Sequence, residues 1–214
     1  MARKRILFLY SSLAVGGAER QLALLVPHLP DHGFEPLVAT LRLRGRYFDE
    51  LRGAGIATVH ANMNGRADIG GALRAYRLWR ERPAIVVTQS TNAQVIGHAI
   101  ARRARAPHVT VEQGGPGIWR RRGRYRLAMT KLVAPHVDRV VAVTESQAPD
   151  LERLGYPRES IRVIPNAAPV GRASRAPAAV RSELELGDTD FVALLVAAAR
   201  PEKRADRFLE AVVA

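Results

Sequence analysis

Hydrophobic and polar positions alternate in a regular rhythm from the start of the chain to about residue 165. Short aliphatic runs are followed by longer amphipathic stretches, which is the pattern of repeated βα units. The aliphatic runs are continuous, as in parallel strands that are buried on both faces. The predicted strands are Arg5–Tyr10, Glu35–Thr40, Ile56–Ala61, Ala84–Thr88, His108–Glu112, Arg139–Val143 and Ile161–Ile164.

The amphipathic stretches between these runs predict helices that link consecutive parallel strands. The first of them places Leu22, Val26 and Leu29 on one face. Because crossovers between parallel strands are right-handed in nearly all proteins, we expect an α/β fold with a doubly wound parallel sheet. The predicted helices are Gly17–His32, Tyr47–Gly53, Ile69–Arg80, Ala93–Arg103, Arg120–Ala134 and Ser146–Leu154.

The rhythm breaks between residues 165 and 187, where prolines at 165, 169 and 177 indicate a connection between domains. After it we predict a buried strand at Asp190–Ala199 and a helix at Arg204–Ala214. One strand and one helix cannot form an independent core. We therefore expect a first domain over 1–168, a linker over 169–187, and the truncated beginning of a second domain over 188–214.

Composition narrows the possible functions. Cysteine is absent, which excludes disulfides, thiolate zinc sites and thiol nucleophiles. The histidines form no helical pair with a carboxylate, so we predict no metal site. The absence of cysteine is compatible with a reducing cytoplasm, where we expect the protein. The longest apolar run, Val192–Ala199, is too short to span a bilayer, which predicts a soluble or peripheral protein. The net charge of +13 favours anionic partners: phospholipid, nucleic acid or a phosphorylated substrate.

Two loops at the carboxyl ends of predicted strands carry candidate chemistry, because ligands of open α/β sheets bind at that edge. Gly16 and Gly17 open the first helix, where backbone N–H groups can approach a phosphate or sugar closely. A tight strand-to-helix turn explains the same glycines. Glu112 ends a later strand and is a candidate base, or a group that orients an acceptor hydroxyl. The alternative is a solvated or arginine-paired carboxylate.

Two basic segments complete the set of candidate sites. Arg200 and Lys203 follow the predicted strand of the second domain, where they can clamp a diphosphate whose charge grows as it leaves. An exposed basic turn is the other interpretation. The second segment is a basic cluster that can contact an anionic membrane or form a solvated helix face. The candidate membrane-contact residues are Trp119, Arg120, Arg121, Arg122, Arg124 and Arg126, with Tyr125 between them.

Four stretches resemble the family 4 glycosyltransferases of GT-B fold. Gly16 to Arg20 before an amphipathic helix is similar to the start of that family, and Val137–Ser146 and Ile161–Asn166 are similar to later stretches of its first domain. Arg200–Lys203 is similar to the first strand-to-helix turn of its donor domain. The four occur in the family's order along the whole chain. The resemblance implies a Rossmann-like N-terminal domain and the start of a second Rossmann-like domain.

The resemblance implies a retaining transferase that uses a UDP- or GDP-sugar, needs no further cofactor, and glycosylates a glycan or lipid-linked acceptor in cell-envelope polysaccharide synthesis. Such an enzyme would be cytoplasmic and peripheral on the inner face of the membrane. The implied residue roles follow the motifs. Catalytic residues are Glu112 and Gln113, donor-diphosphate ligands are Gly16, Gly17, Arg200 and Lys203, and acceptor-side or interdomain residues are Glu19, Gly114 and Asn166.

The chain departs from the family pattern at several of these positions. Gln113 replaces the histidine of the acceptor loop, Ala167 replaces the glycine after Asn166, and Arg204 replaces the glycine after the donor-domain lysine. Ala198 occupies the usual arginine position, and Arg200 is the nearest substitute. The paired glutamates of the family's E-x7-E motif are expected beyond residue 214. We therefore expect no turnover by residues 1–214 alone.

Two other functions stay open. A nucleotide-sugar epimerase can have the same two-domain architecture, and an assay with and without acceptor separates the two enzymes. A basic nucleic-acid-binding protein is the non-enzymatic alternative. The chain has no recognition motif for nucleic acid and few aromatic residues for base stacking, so no nucleic-acid partner is expected.

Overall fold

The computed structural model describes residues 3–65, 67–112, 123–169, 171, 174–187, 189–197 and 203–213. Residues 1–168 form one compact unit and residues 169–214 a second. The strands of the first unit are β1 (Lys4–Ser12), β2 (Phe34–Leu43), β3 (Ala57–His60), β4 (Ile85–Gln89), β5 (His108–Glu112), β6 (Arg139–Ala142) and β7 (Ile161–Val163). Its helices are α1 (Gly17–Leu25), α2 (Arg46–Gly53), α3 (Ile69–Tyr76), α4 (Thr91–Ala104), α5 (Arg124–Val133) and α6 (Ala148–Arg153).

The seven strands form a single parallel sheet in the order β3-β2-β1-β4-β5-β6-β7. The chain moves outward in one direction from β1 to β3 and in the other from β4 to β7. The order therefore reverses between β1 and β4, and this reversal opens a crevice at the carboxyl edge of the sheet. The doubly wound, Rossmann-like fold predicted from the aliphatic runs is confirmed.

Side chains of β1 divide the core into two layers, because successive residues of a strand point to opposite faces. Leu7 and Leu9 are fully buried in the layer that includes α3 and α4. Ile6 and Phe8 are buried in the layer that includes α1 and α2. A third cluster packs β6 against α5 and α6. The middle of the sheet is thus covered on both faces.

Prolines and local geometry shorten some of the predicted helices. The stretch predicted as one helix from Gly17 to His32 is α1 followed by 3-10 turns over Val26–His32, because Pro27 and Pro30 interrupt the α-helical hydrogen bonds. The predicted helix from Ile69 to Arg80 likewise ends as 3-10 turns over Arg77–Glu81. The predicted helix from Arg120 is described only from Arg124 onward.

The second unit contains α7 (Pro177–Glu183) and α8 (Ala205–Val213). Helix α7 lies in the stretch predicted to be a linker, where Pro177 occupies the first helical turn and alanines favour a helix. The predicted strand Asp190–Ala199 is wrong over the residues that the structure describes, up to 197, which form no strand. Phe191 is 91% exposed and Val196 is 87% exposed. Strand formation needs a neighbouring strand to pair with, and the described part of this unit provides none.

Candidate functional site

The loop between β1 and α1 lies at the carboxyl edge of the sheet, beside the crevice. Gly16 caps α1 in an extended conformation, and the backbone N–H of Arg20 donates to the Gly16 carbonyl at 3.0 Å. A Cβ atom added at Gly17 would meet no other atom within 4 Å. A Cβ on Gly16 would collide with the carboxylate of Glu19. Gly17 therefore offers an open approach to the first backbone N–H groups of α1, whereas Glu19 covers Gly16.

Glu19 is half-buried and belongs to the first turn of α1. Burial raises the pKa of its carboxyl group, and a hydrogen bond from its own backbone N–H opposes that rise. Burial, and then the charge of Glu19, raise the pKa of the buried Tyr10. A carboxylate at this place interacts favourably with the helix dipole. It occupies the position that an anionic ligand would take at the same helix terminus.

A pair of serines spans the crevice between β1 and β4. The hydroxyl oxygens of Ser11 and Ser90 lie 2.6 Å apart and share a hydrogen bond. Ser90 precedes α4 and has φ +85° and ψ 152°, a backbone region that glycine strongly favours. Sequence reasoning missed this pair. The polar run Gln89 to Asn92 at the end of β4 was the signal that could have found it, because it follows a strand at the ligand-binding edge.

The loop between β2 and α2 is locked to the loop between β1 and α1. The backbone N–H of Leu13 donates to the Arg44 carbonyl at 3.2 Å, and that of Tyr47 donates to the Leu13 carbonyl at 3.1 Å. Gly45 has φ +74°, and a Cβ there would lie 2.5 Å from the backbone nitrogen of Ala14. The two loops thus form one rim. The exposed guanidinium group of Arg44 extends this rim and lies 5.8 Å from the ring centre of Phe48.

Glu112 ends β5 and is only 2% exposed, so its carboxylate is buried and not solvated. Its Oε1 accepts a hydrogen bond from Nε2 of Gln94 at 2.7 Å and from the hydroxyl of Tyr156 at 3.3 Å. Nε2 of Gln94 also donates to Oγ1 of Thr110 at 2.8 Å. This network connects β5 with α4 and with the turn after α6. Gln113 and Gly114 lie outside the described residues.

The end of the first unit is attached to α1 by one side chain. Nε2 of Gln21 donates to the Ala167 carbonyl at 2.6 Å, and the backbone N–H of Ala167 donates to Oε1 of Gln21 at 2.8 Å. Asn166, a predicted interdomain residue, is exposed beside this contact. The amide of Gln21 therefore fixes the backbone next to Asn166 on the helix that begins at Gly17.

The remaining predicted residues fall in different parts of the chain. Lys203 is exposed in the second unit, and Arg200 lies outside the described residues. Arg124 and Arg126 are exposed in the first turn of α5, whereas Trp119, Arg120, Arg121 and Arg122 lie outside the part that the structure describes. Within the described ranges, no three histidine or acidic side chains are grouped to hold a metal ion. No helix among them has the length and apolar character to cross a bilayer.

Solved structures share this architecture. HepE of Anabaena in complex with UDP-glucose matches with a TM-score of 0.67 and 21% identity, over 85% of this chain and 50% of that chain. The lipopolysaccharide outer core galactosyltransferase WaaB matches with a TM-score of 0.57 and 11% identity, over 77% of this chain and 46% of that one. The UDP-GlcNAc 2-epimerase of Neisseria meningitidis bound to UDP-GlcNAc matches with a TM-score of 0.54 and 15% identity. The match covers 76% of this chain and 46% of that chain.

These likenesses place the first unit in the class of GT-B-type, Rossmann-like domains. The chain spans about half the length of the HepE structures that it matches. No curated protein matches its sequence. The model of glycosyltransferase family 4 matches residues 15–172, which is more than half of the chain and includes the Gly16–Gly17 loop. The chain belongs to glycosyltransferase family 4, as the sequence resemblance indicated.

Proposed function

We propose that this chain is the acceptor-side part of a retaining glycosyltransferase that moves a sugar from a UDP- or GDP-sugar to a glycan or lipid-linked acceptor. The observation that carries the proposal is the position of the Gly16–Gly17 loop. It lies inside the segment that matches family 4 and beside the sheet crevice where α/β folds bind ligands. HepE, of similar fold, has been solved with UDP-glucose.

The proposed chemistry relies on holding the diphosphate of the donor as it departs. The open backbone at Gly17 and the N–H groups of the first turn of α1 suit an anionic group. Lys203 and Arg200, of the second unit, are the proposed cationic ligands of a donor diphosphate. Charge that develops on a leaving diphosphate is stabilised most by groups already aimed at it. Apart from the sugar donor as substrate, we expect the reaction to need no cofactor and no metal.

Glu112 and Gln113 are the proposed catalytic residues. The carboxylate of Glu112 is buried and held by Gln94 and Tyr156. A substrate hydroxyl could reach Glu112 most easily by replacing the Tyr156 hydroxyl, whose 3.3 Å hydrogen bond is the longer of the two. Glu19, Gly114 and Asn166 are the proposed acceptor-side and interdomain residues. A role in cell-envelope polysaccharide synthesis, on the inner face of the membrane, belongs to the same proposal.

A nucleotide-sugar epimerase is the second candidate, because UDP-GlcNAc 2-epimerases are among the structures of similar fold. The two activities differ in their need for an acceptor. An epimerase converts the donor alone, whereas a transferase leaves it intact until an acceptor is present.

The deciding experiment supplies UDP- and GDP-sugars to the protein as its source produces it, with and without a mixture of glycan and lipid-linked acceptors. Proton NMR then follows the proton on the anomeric carbon. We expect acceptor-dependent transfer with the donor's anomeric configuration retained. Conversion of the donor sugar without acceptor would establish the epimerase, and a product with inverted configuration would exclude the retaining mechanism. Residues 1–214 alone are expected to give neither product.

A further inference from the structure

Six exposed arginines lie at the ends of two helical segments that pack against each other, and two of them contact the half-buried Trp79. The 3-10 turns after α3 pack against α4, and Trp79 lies at their contact. The guanidinium carbon of Arg103 lies 4.1 Å above the centre of the Trp79 ring, and that of Arg80 lies 5.9 Å from it. We call this group the arginine surface. Its members are Arg77, Arg80, Arg82, Arg102, Arg103 and Arg105.

The charge of the arginine surface is not neutralised within the fold. Among the residues that the structure describes, no member forms an ion pair with an acidic side chain. Helix α4 contains no acidic residue. Glu81, next in sequence to Arg80 and Arg82, is bound by Nη1 of Arg5 at 2.5 Å. Unpaired cations of this density attract an external anion.

Two members occupy backbone positions where glycine would be more stable. Arg82 has φ +49° and Arg105 has φ +54°, and both residues end a helical segment in the left-handed conformation. A side chain with a Cβ is strained there, which is why glycine is the usual residue after a helix. Each of these arginines therefore costs the fold some stability relative to glycine.

The neighbouring face of α3 identifies the kind of partner. Ile69 is 74% exposed and Leu73 is 52% exposed. They are one turn apart, and Arg77 continues the same stripe one turn further. A helix with exposed aliphatic side chains at one end and arginines at the other suits a bilayer surface, where aliphatic groups insert and arginines bind lipid phosphates. Nucleic acid is disfavoured, because Arg103 covers the Trp79 ring that would stack on a base.

We propose that the arginine surface and the Ile69–Leu73 stripe dock this protein on anionic phospholipid bilayers. Helix α3 follows β3 and so begins at the carboxyl edge of the sheet, which places Ile69 at the edge that carries the Gly16–Gly17 loop. A bilayer along α3 would then meet the protein beside the candidate site. Exposed Arg124 and Arg126 lie on α5, which packs next to α4 in the same layer.

The proposed function supplies only the reason for this docking, which is access to a lipid-linked acceptor. Its test needs no catalysis, so failure of docking and failure of the transferase proposal are distinguishable. The probe is flotation of the protein with vesicles of phosphatidylcholine alone, and with vesicles that also contain phosphatidylglycerol. We expect binding to the anionic vesicles only, weakened by added salt.

The decisive variant is Arg82→Gly with Arg105→Gly. Each arginine near an anionic surface contributes enough attraction that removing two should weaken vesicle binding about thirty-fold. Because glycine suits both left-handed positions, the same variant should unfold at an equal or higher temperature, which separates lost docking from lost folding. The matched control is Arg52→Gln with Arg162→Gln, two exposed arginines on α2 and on β7, outside the proposed contact. It changes the net charge equally and should bind like the unmodified protein.

A further variant and a DNA ligand identify the kind of partner. Ile69→Ser with Leu73→Ser should also weaken vesicle binding, because the aliphatic insertion is lost. The proposal would be overturned by equal binding to both kinds of vesicle or to neither. It would also fall if the two double-arginine variants weakened binding alike, since net charge alone would then explain it. Binding of a DNA duplex more tightly than vesicles, lost in Arg82→Gly with Arg105→Gly, would assign the surface to nucleic acid instead.

Discussion

The hydroxyl groups of Ser11 and Ser90 share a 2.6 Å hydrogen bond across the crevice between β1 and β4. Ser11 lies near the end of β1 and Ser90 directly before α4, so the bond joins the two strands at which the sheet order reverses. Ser90 holds this position with a strained backbone, at φ +85°. Strain of this kind is concentrated at functional sites, because the surrounding structure must hold it in place.

The strain at Ser90 predicts an unusual order of stabilities. Ser90→Ala keeps the strained backbone and loses the hydrogen bond, whereas Ser90→Gly loses the bond but relieves the strain. We expect the glycine variant to be more stable than the alanine variant by about 1–2 kcal/mol in urea unfolding. Ser11→Ala is the control for the hydrogen bond alone, with an expected loss of about 1 kcal/mol. Equal stability of the two Ser90 variants would show that the backbone is unstrained.

Glu19 should oppose the binding of a diphosphate at the start of α1. Its carboxylate lies over Gly16, so Glu19→Gln removes a negative charge from the anion position. We expect about two- to five-fold tighter binding of UDP to the variant by isothermal calorimetry at pH 7. Because burial raises the pKa of Glu19, the difference should shrink as the pH falls and the unmodified carboxyl takes up a proton. Weaker UDP binding by Glu19→Gln would mean that the carboxylate contacts the ligand favourably.

The buried network around Glu112 should stabilise the first unit. Gln94→Ala removes the amide donor at 2.7 Å and leaves a buried carboxylate with one partner fewer. We expect a loss of about 2–3 kcal/mol in the free energy of unfolding. Tyr156→Phe removes the longer hydrogen bond and should cost about 1 kcal/mol. A double-mutant cycle should show that the two losses are not additive, because both donors act on one oxygen. Strict additivity would contradict a shared network.

Three histidines at the opposite, amino edge of the sheet make stability depend on pH. The ring centres of His98 and His108 are 5.7 Å apart, and those of His98 and His136 are also 5.7 Å apart. Burial lowers the pKa of His108 to about 4, with the neighbouring His98 as a second cause and Asp138 as an opposing one. Burial, and then the positive charges of His136 and Arg102, lower the pKa of His98, again against Asp138.

A histidine whose pKa is lower in the folded state stabilises the fold above the ordinary pKa of about 6.5. That stability is lost as the pH falls from 6.5 through about 4, where His108 must become charged in the core. The contribution of His108 is about 3 kcal/mol over this interval. Urea unfolding between pH 7 and pH 4 measures it. His108→Gln should flatten this dependence, and His32→Gln, at an exposed site outside this cluster, should change it little. Equal slopes for both variants and the unmodified protein would contradict the assignment.

The sheet could be predicted because its strands carry their own signal. Each described strand from β1 to β7 overlaps a predicted one, and the central strands β1 and β2 are long runs of buried, mostly apolar residues. The same signal was misleading at Asp190–Ala199. That segment is as aliphatic as the true strands, but the part described up to 197 has no neighbouring strand to pair with. Aliphatic character predicts a preference for burial, and pairing decides whether a strand forms.

The site was predictable only in outline. Gly16 and Glu112 were identified because each follows or ends a strand at the carboxyl edge, and the structure places both there. Two details of the site could not be predicted. Glu19 folds back over Gly16, which depends on the conformation of one side chain. Gln94 and Tyr156 bury Glu112, and both are distant from it in the sequence. The strain at Ser90 leaves no trace in composition or periodicity. The catalytic and diphosphate-binding roles themselves stay predictions.

Gly17 tests the central claim most directly, because the fold does not need a glycine there. A Cβ at Gly17 meets no atom within 4 Å, so Gly17→Val should leave the unfolding temperature unchanged. The same holds for Gly53→Val at the end of α2, which is the matched control. In the sugar-transfer assay on the protein as its source produces it, we predict that Gly17→Val lowers kcat/KM for the donor at least about a hundred-fold, while Gly53→Val does not. Full transfer by Gly17→Val would contradict the assignment of this loop to the donor diphosphate.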